Sequence, residues 1–203
     1  NQVADSLSRL AMSGDYQIRR EVLVDALQQL KMRPSLDVFA NRRNRQCKRF
    51  YSLMPDSWSI GQDGLSKSWK GEIPLLHPPI PLIQRTINKI MEEKIKGVII
   101  IPHWTSQLWW PDLQKLIVKM IVLGSCKQNL IIGGRMRKKQ LHLPPGDLMI
   151  ASFKVKKVNN SILRSQKNVD QQESQSIKLF KAGTHAGEDI DRDQVNSKSI
   201  ETV

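Results

Sequence analysis

Cysteine, long apolar runs and a leader segment are scarce or missing in this chain of 203 residues. Cys47 and Cys126 are the only two cysteines and form no C-x-x-C pair, which excludes a disulfide framework and a cysteine zinc site. The longest apolar runs, such as residues 116–123, are too short to span a bilayer. No signal peptide opens the sequence. We therefore expect an intracellular protein, cytoplasmic or nuclear, with no membrane partner.

Recognised catalytic motifs are also missing. The sequence contains no P-loop, HExxH, GxSxG or GxGxxG pattern, which excludes the corresponding nucleotide, zinc and serine-hydrolase sites. With only Tyr16 and Tyr51 as tyrosines, we find no Arg…His-x-x-Arg…Tyr constellation, so a tyrosine recombinase domain would lie outside these residues. Hydrophobic residues make up 39% of the chain, which allows one modest core.

Positive charge is what the chain has in excess. Lysine and arginine number 32 against 19 acidic residues, giving a formal net charge of +13. Such an excess favours nucleic acid, DNA or RNA, because binding releases condensed counterions. The alternative is a basic surface without a partner. Two clusters carry the candidate nucleic-acid contacts, namely Arg42, Arg43, Arg45, Lys48 and Arg49 in the first and Arg135, Arg137, Lys138 and Lys139 in the second.

Glycine and tryptophan flank these clusters. Gly133 and Gly134 precede the second cluster and predict a flexible hairpin loop. Trp104, Trp109 and Trp110 would stack on unpaired bases if they were exposed. The prevailing expectation is that they lie in the core, because tryptophan is mostly buried.

Hydrophobic periodicity predicts alternating helices and strands. Amphipathic spacing indicates helices over residues 18–31, 83–94 and 109–123, and a helix is plausible over 41–50. Short apolar runs indicate strands over 36–40, 98–101, 130–132 and 148–155. This alternation predicts an α/β fold with a Rossmann-like, mostly parallel sheet flanked by helices. Residues 156–203 are polar, with charges that nearly cancel, and predict a disordered tail or linker.

The first nine residues, Asn-Gln-Val-Ala-Asp-Ser-Leu-Ser-Arg, resemble the closing N-x-x-A-D-x-L-S-R motif of ribonuclease H domains in retroelement polyproteins. The resemblance implies that residues 1–14 end such a domain and that Asp5 is one of its magnesium-binding carboxylates. The other carboxylates would lie upstream, and one Asp cannot organise two hard cations. We therefore expect no ribonuclease activity from this chain alone. The alternative is that Asp5 caps a helix or is a solvated helix residue.

Residues 36–113 resemble phage-type DNA adenine-N6 methyltransferases. In order, the chain carries Asp-Val-Phe-Ala at 37–40, Phe-Tyr-Ser at 50–52, Asp-Gly-Leu at 63–65, and His-Pro-Pro-Ile at 77–80, followed by a predicted helix, a buried strand and Pro-His-Trp at 102–104. The same pair of blocks, ribonuclease H and then a methyltransferase-like domain, occurs in DIRS-like retrotransposons, which encode a tyrosine recombinase. The joint order implies one element type.

The chain departs from that family where the methyl-transfer chemistry lies. The family's N/D-P-P-aromatic motif binds the target amine and stacks on the flipped adenine. Here His77, Pro78, Pro79 and Ile80 occupy it, so the amide or carboxylate and the aromatic ring are replaced. No GxG follows the first strand, although Asp37 is placed to approach a cofactor. The alternatives are a loop histidine bonded to backbone for His77, and a capping or salt-bridged carboxylate for Asp37.

These observations predict three segments: 1–14 as the ribonuclease H end, 15–155 as a methyltransferase-like domain and 156–203 as a linker. We expect a catalytically inactive polyprotein fragment that binds nucleic acid and the rest of its Pol polyprotein and holds no cofactor by itself. One alternative is an active S-adenosylmethionine-dependent methyltransferase in which His77 substitutes. The others are a basic interaction module with no enzymatic descent, and a decayed copy.

Overall fold

The computed structural model describes residues 15–155, so the predictions for residues 1–14, including Asp5, and for 156–203 lie outside it. The described part is a mixed α/β domain with a mostly parallel sheet flanked by helices, and the predicted fold class is confirmed. Its elements in chain order are β1 (Tyr16–Ile18), α1 (Arg20–Leu30), β2 (Leu36–Ala40), β3 (Arg49–Ser52), β4 (Pro74–Leu76), α2 (Ile83–Glu93), β5 (Lys96–Pro102), α3 (Trp110–Leu116), β6 (Ile117–Ser125), α4 (Cys126–Asn129), β7 (Leu130–Ile132), α5 (Gly134–Lys138) and β8 (Asp147–Lys154).

The main sheet has six strands in the order β3-β2-β4-β5-β8-β6. β3, β2, β4 and β5 are parallel, with Asp37 opposite both Phe50 and Leu75. β8 is antiparallel to both of its neighbours and lies between β5 and β6. A separate two-stranded antiparallel sheet joins β1 to β7. The parallel strands therefore direct their carboxyl ends to one edge, where the loops that follow them gather.

The two faces of the main sheet carry separate apolar clusters, because neighbouring residues of a strand point to opposite faces. On β5, Ile99 and Ile101 pack with α2 and α3, whereas Val98 and Ile100 pack on the other face with α1. Both sides of the central strands are covered, which explains their continuous apolar sequence. Helix α2 buries Ile83, Ile87 and Ile90 at helical spacing, as the sequence predicts.

Two helix predictions are wrong in part or in full. The predicted helix over 109–123 ends at Leu116, and Ile117–Ser125 forms the nine-residue strand β6 paired with β8. The plausible helix over 41–50 is a turn followed by β3. Asn41 Oδ1 accepts the N–H groups of Arg43 (2.8 Å) and Asn44 (3.2 Å), and Asn44 Oδ1 accepts that of Asn41 (2.7 Å). These local bonds replace those of a helix.

The predicted helix over 18–31 begins later than expected. Ile18 is the last residue of β1, opposite Leu130 of β7, and the helix covers Arg20–Leu30. Strands β1, β3 and β4 carry no alternating pattern long enough to be predicted. Among residues 15–155, no helix combines the length and the apolar character needed to cross a bilayer.

Candidate functional site

The strand order changes direction at β2. β3 lies on one side of β2, whereas β4, the next strand along the chain, lies on the other. In open α/β sheets, ligands bind in the crevice that such a change opens outside the carboxyl ends of the strands. The loops that follow Ala40, Ser52 and Leu76 begin at this edge. The topology alone therefore makes this edge the candidate functional site.

A cavity of about 600 Å³ lies at this edge of the sheet. Its walls come from the loop after β2 (residues 41–44), the loop after β3 (residues 55–57), and the small sheet together with the start of α5, through residues 15–17 and 131–135. The cavity is thus enclosed by segments from three distant parts of the chain.

Four cationic side chains from the two predicted clusters line this one cavity. Arg42 and Arg43 come from the loop after β2, and Arg135 and Lys138 come from α5. All four are exposed to solvent. The fold therefore brings part of each basic cluster, far apart in sequence, to a single cavity. A cleft with one prevailing sign of charge attracts anionic ligands.

Asp15 fixes the wall formed by α5. Its carboxylate Oδ2 accepts the N–H of Arg135 at 2.8 Å, and its backbone carbonyl accepts that of Gly133 at 2.7 Å. A Cβ on Gly133 would lie 2.4 Å from the Asp15 Cγ, so only glycine permits this approach. The predicted flexible hairpin at Gly133-Gly134 is therefore wrong, because Gly134 begins helix α5 and Asp15 holds its first turn.

Asp56 joins the two loops on the other wall. Its Oδ2 accepts the N–H of Arg42 at 3.0 Å, and its Oδ1 accepts that of Trp58 at 3.0 Å. Burial acts to raise the pKa of Asp56, but the two N–H groups and the guanidinium groups of Arg42 and Arg45 lower it overall. The carboxylate is therefore held in the ionised form by the loops that it connects, which keeps Arg42 at the cavity.

Other predicted cations are occupied elsewhere. The Arg45 guanidinium lies 5.4 Å from the Phe50 ring centroid and 5.6 Å from that of Trp58. Arg49 forms an ion pair with Glu72. Arg137 donates a hydrogen bond to a backbone carbonyl at 3.3 Å. Of the nine predicted contacts, the cavity gathers four, and the five that do not line it are Arg45, Lys48, Arg49, Arg137 and Lys139.

Asp37 and His77 lie beneath the cavity and line a pocket of only about 10 Å³, the room of about one water. Asp37 is 4% exposed, and its Oδ2 accepts the N–H of Gln46 at 2.9 Å. Burial raises the pKa of Asp37 to about 6, although the N–H groups of Gln46 and Phe39 act to lower it. Its carboxylate therefore fixes the loop after β2 and is not a capping or surface-paired group.

His77 follows β4 directly, and its ring meets the Tyr16 ring edge to face at 5.2 Å between centroids. Burial lowers the pKa of His77 to about 4, so the imidazole is neutral at pH 7. Tyr16 belongs to the small sheet, which thus covers the residue at the first position of the His-Pro-Pro-Ile sequence.

The remainder of that sequence is part of the scaffold. Pro78 and Pro79 are buried, and Ile80 begins a 3-10 helix, Ile80–Leu82, that leads into α2. The Ile80 side chain packs against the core cluster that α2 and α3 share. Of these site predictions, Asp37 and His77 line a pocket at the crevice, whereas Pro78 and Pro79 are buried and Ile80 packs against the core.

Four of the five tryptophans pack against the core, and one, Trp58, is exposed. Trp69 and Trp109 are buried, while Trp104 and Trp110 are partly buried against the same core cluster. Trp58, for which no role was predicted, is 61% exposed. Its neighbours Asp56, Ser57 and Ser59 are turn-forming polar residues, and that context was the available signal for a surface position.

The described residues offer no evident metal site, because residues 15–155 contain no group of three His, Cys, Asp or Glu side chains suited to an ion. The candidate site is thus a basic cavity above a buried carboxyl and a neutral imidazole. No known protein family matches the chain, and a search of curated proteins finds none with significant similarity.

Proposed function

We propose that residues 15–155 form a non-catalytic nucleic-acid-binding domain that holds a phosphate backbone in the basic cavity. The observation that carries this proposal is the meeting of Arg42 and Arg43 with Arg135 and Lys138 around one cavity. Guanidinium groups match phosphate oxygens in paired hydrogen bonds, and lysine adds a mobile point charge. Asp15 and Asp56 also line the cavity, so its four cations exceed its two carboxylates and leave a net positive charge of two.

The proposal excludes methyl transfer because the residues present do not fit that chemistry. Ile80 packs into the core and offers no aromatic face to a base. The Asp37 carboxylate is committed to the N–H of Gln46 and is nearly inaccessible. The loop after β2 is closed on itself by Asn41 and Asn44 rather than by a glycine-rich turn. These features support a methyltransferase-like shell that binds and does not react.

A retroelement origin is part of the same proposal. The motif at residues 1–9 and the block over 36–113 follow the order found in DIRS-like polyproteins. The fold agrees with the second resemblance, since a mostly parallel sheet with a crevice at β2 and β4 suits a methyltransferase-like domain. Incubation of the chain with magnesium and an RNA–DNA hybrid should give no cleavage, because Asp5 lacks the other carboxylates.

The test is the salt dependence of oligonucleotide binding. A variant with Arg42, Arg43, Arg135 and Lys138 changed to serine removes the four cavity charges. Each phosphate contact on a single strand contributes about 0.7 to the slope of log K against log salt, so the slope should fall by up to about 3. Fluorescence anisotropy of a labelled single strand at several salt concentrations measures it.

The matched control removes four exposed charges from the opposite edge of the sheet. The four residues lie near the amino ends of the parallel strands or at the carboxyl end of the antiparallel strand β8. They are Arg33 before β2, Lys70 before β4, Lys96 at the start of β5 and Lys154 at the end of β8. The two variants have the same net charge, so a general charge effect would change both slopes equally. That result would contradict the cavity proposal, whereas a loss confined to the first variant supports it.

A further inference from the structure

The exposed Trp58 ring forms a flat apolar surface beside the basic cavity. Trp58 is the next residue after Ser57, which lines the cavity, and is 61% exposed. Its backbone N–H donates to Asp56, whose other oxygen accepts the N–H of Arg42. The backbone at Trp58 is thus anchored to the same loop pair that presents Arg42 and Arg43.

The Arg45 guanidinium supports this ring from beneath. It lies 5.4 Å from the centroid of Phe50, which is fully buried, and 5.6 Å from that of Trp58. Arg45 also donates to the carbonyl of Lys48 at 3.2 Å, which restrains its position. The indole is therefore held in place on one face by a cation, while more than half of its surface remains in contact with solvent.

We infer that Trp58 is a stacking platform for an unpaired nucleobase whose phosphate lies in the basic cavity. The inference rests on the proposed function and specifies its ligand as single-stranded nucleic acid. A base has an apolar π-face that pairs with an aromatic ring regardless of sequence. In a duplex that face is covered by neighbouring base pairs, so Trp58 discriminates single strands from duplexes without reading sequence.

The test compares three probes of equal length: a single-stranded oligonucleotide, the same backbone with abasic sites, and a duplex. Stacking contributes about 1–3 kcal/mol per base, so Trp58→Ala should weaken single-strand binding about 5- to 150-fold. It should leave the affinity for the abasic strand and the duplex unchanged. Trp58→Phe keeps an aromatic face and should retain most of the affinity.

The control is Val118→Ala, which changes an equally exposed apolar residue, 67% exposed, on β6 away from the cavity. Thermal melting of each variant shows that the fold is kept. The stacking inference is wrong, and the proposed function stands, if Trp58→Ala binds the single strand as wild type does while the four-serine variant (Arg42, Arg43, Arg135 and Lys138) shows a smaller dependence of affinity on salt concentration. If the wild-type chain binds no probe, both are wrong.

Discussion

Asp37 and His77 make opposite contributions to the pH dependence of stability. Burial raises the Asp37 pKa from 3.8 to about 6, so the folded chain binds this proton more tightly than the unfolded chain. The resulting stability is fully present below pH 3.8 and is lost as pH rises through 6. A shift of this size corresponds to about 3 kcal/mol of unfolding free energy when it is fully expressed.

His77 behaves in the reverse manner. Burial lowers its pKa from 6.5 to about 4, so the unfolded chain takes up the proton first. The stability from the neutral imidazole is present above pH 6.5 and is lost as pH falls through 4. The full effect is at most about 3 kcal/mol, an upper limit because the ring is only partly buried. On acidification from pH 7 to 4.5, the two contributions nearly cancel.

Single variants should separate the contributions of Asp37 and His77 to the pH dependence of stability. On the same acidification, Asp37→Asn should lose about 2 kcal/mol more stability than wild type, and His77→Gln should lose about 2 kcal/mol less. Guanidinium unfolding followed by tryptophan fluorescence at the two pH values gives each free energy. The comparison with wild type removes the contribution of every other titrating group.

Asparagine keeps an oxygen that accepts the Gln46 N–H, so Asp37→Asn changes the charge and retains this contact. The double variant should return to the wild-type pH response. Asp25→Asn, which removes an exposed carboxylate on α1, is the matched control. If wild type and both single variants respond equally to pH, the assignment of opposite pKa shifts to Asp37 and His77 is refuted.

Three further predictions concern the cavity wall, the thiols and the cofactor. Gly133→Ala should destabilise the chain by about 1–3 kcal/mol because its methyl group meets Asp15, whereas Gly134→Ala, with open space around it, should be nearly neutral by chemical denaturation. Burial and the Asp37 charge raise the pKa of Cys47 to about 12, so its alkylation at pH 8 should be slow and Asp37→Asn should accelerate it in a thiol-labelling assay. S-adenosylmethionine should leave the melting temperature unchanged; a concentration-dependent rise would restore the methyltransferase alternative.

The predictable parts of the fold are those in which one periodicity prevails. Helix α2 and strand β5 have apolar residues at only one spacing, and both form as predicted. Residues 117–123 fit a helix as well as a strand, and pairing with β8, together with their β-branched side chains, decides for β6. Strand β4 has only three residues and forms because it pairs with β2 on one side and β5 on the other. Such pairing between distant segments cannot be predicted from the local sequence.

The cations of the candidate site were predictable from the sequence, but which of them meet at the cavity was not. The basic residues were visible as clusters, yet their meeting depends on the small sheet that holds α5 against the loop after β2. Arg45 and Arg49 are kept from the cavity by other contacts. Arg45 lies against the Trp58 ring, and Arg49 forms an ion pair with Glu72. Such tertiary partners are set by the fold, and a sequence pattern names only the residues available to them.

The position of β8 has a consequence for synthesis. It is the last strand of the described domain, yet it lies inside the sheet, between β5 and β6. A nascent chain that ends before Asp147 leaves β5 and β6 with open edges, and unpaired strand edges promote aggregation. The sheet is therefore completed only after residue 154 has left the ribosome, when β8 joins β6 to the four strands β3, β2, β4 and β5. A stop codon between β6 and β8 would leave a four-stranded parallel sheet and an unpaired β6 rather than a smaller working domain.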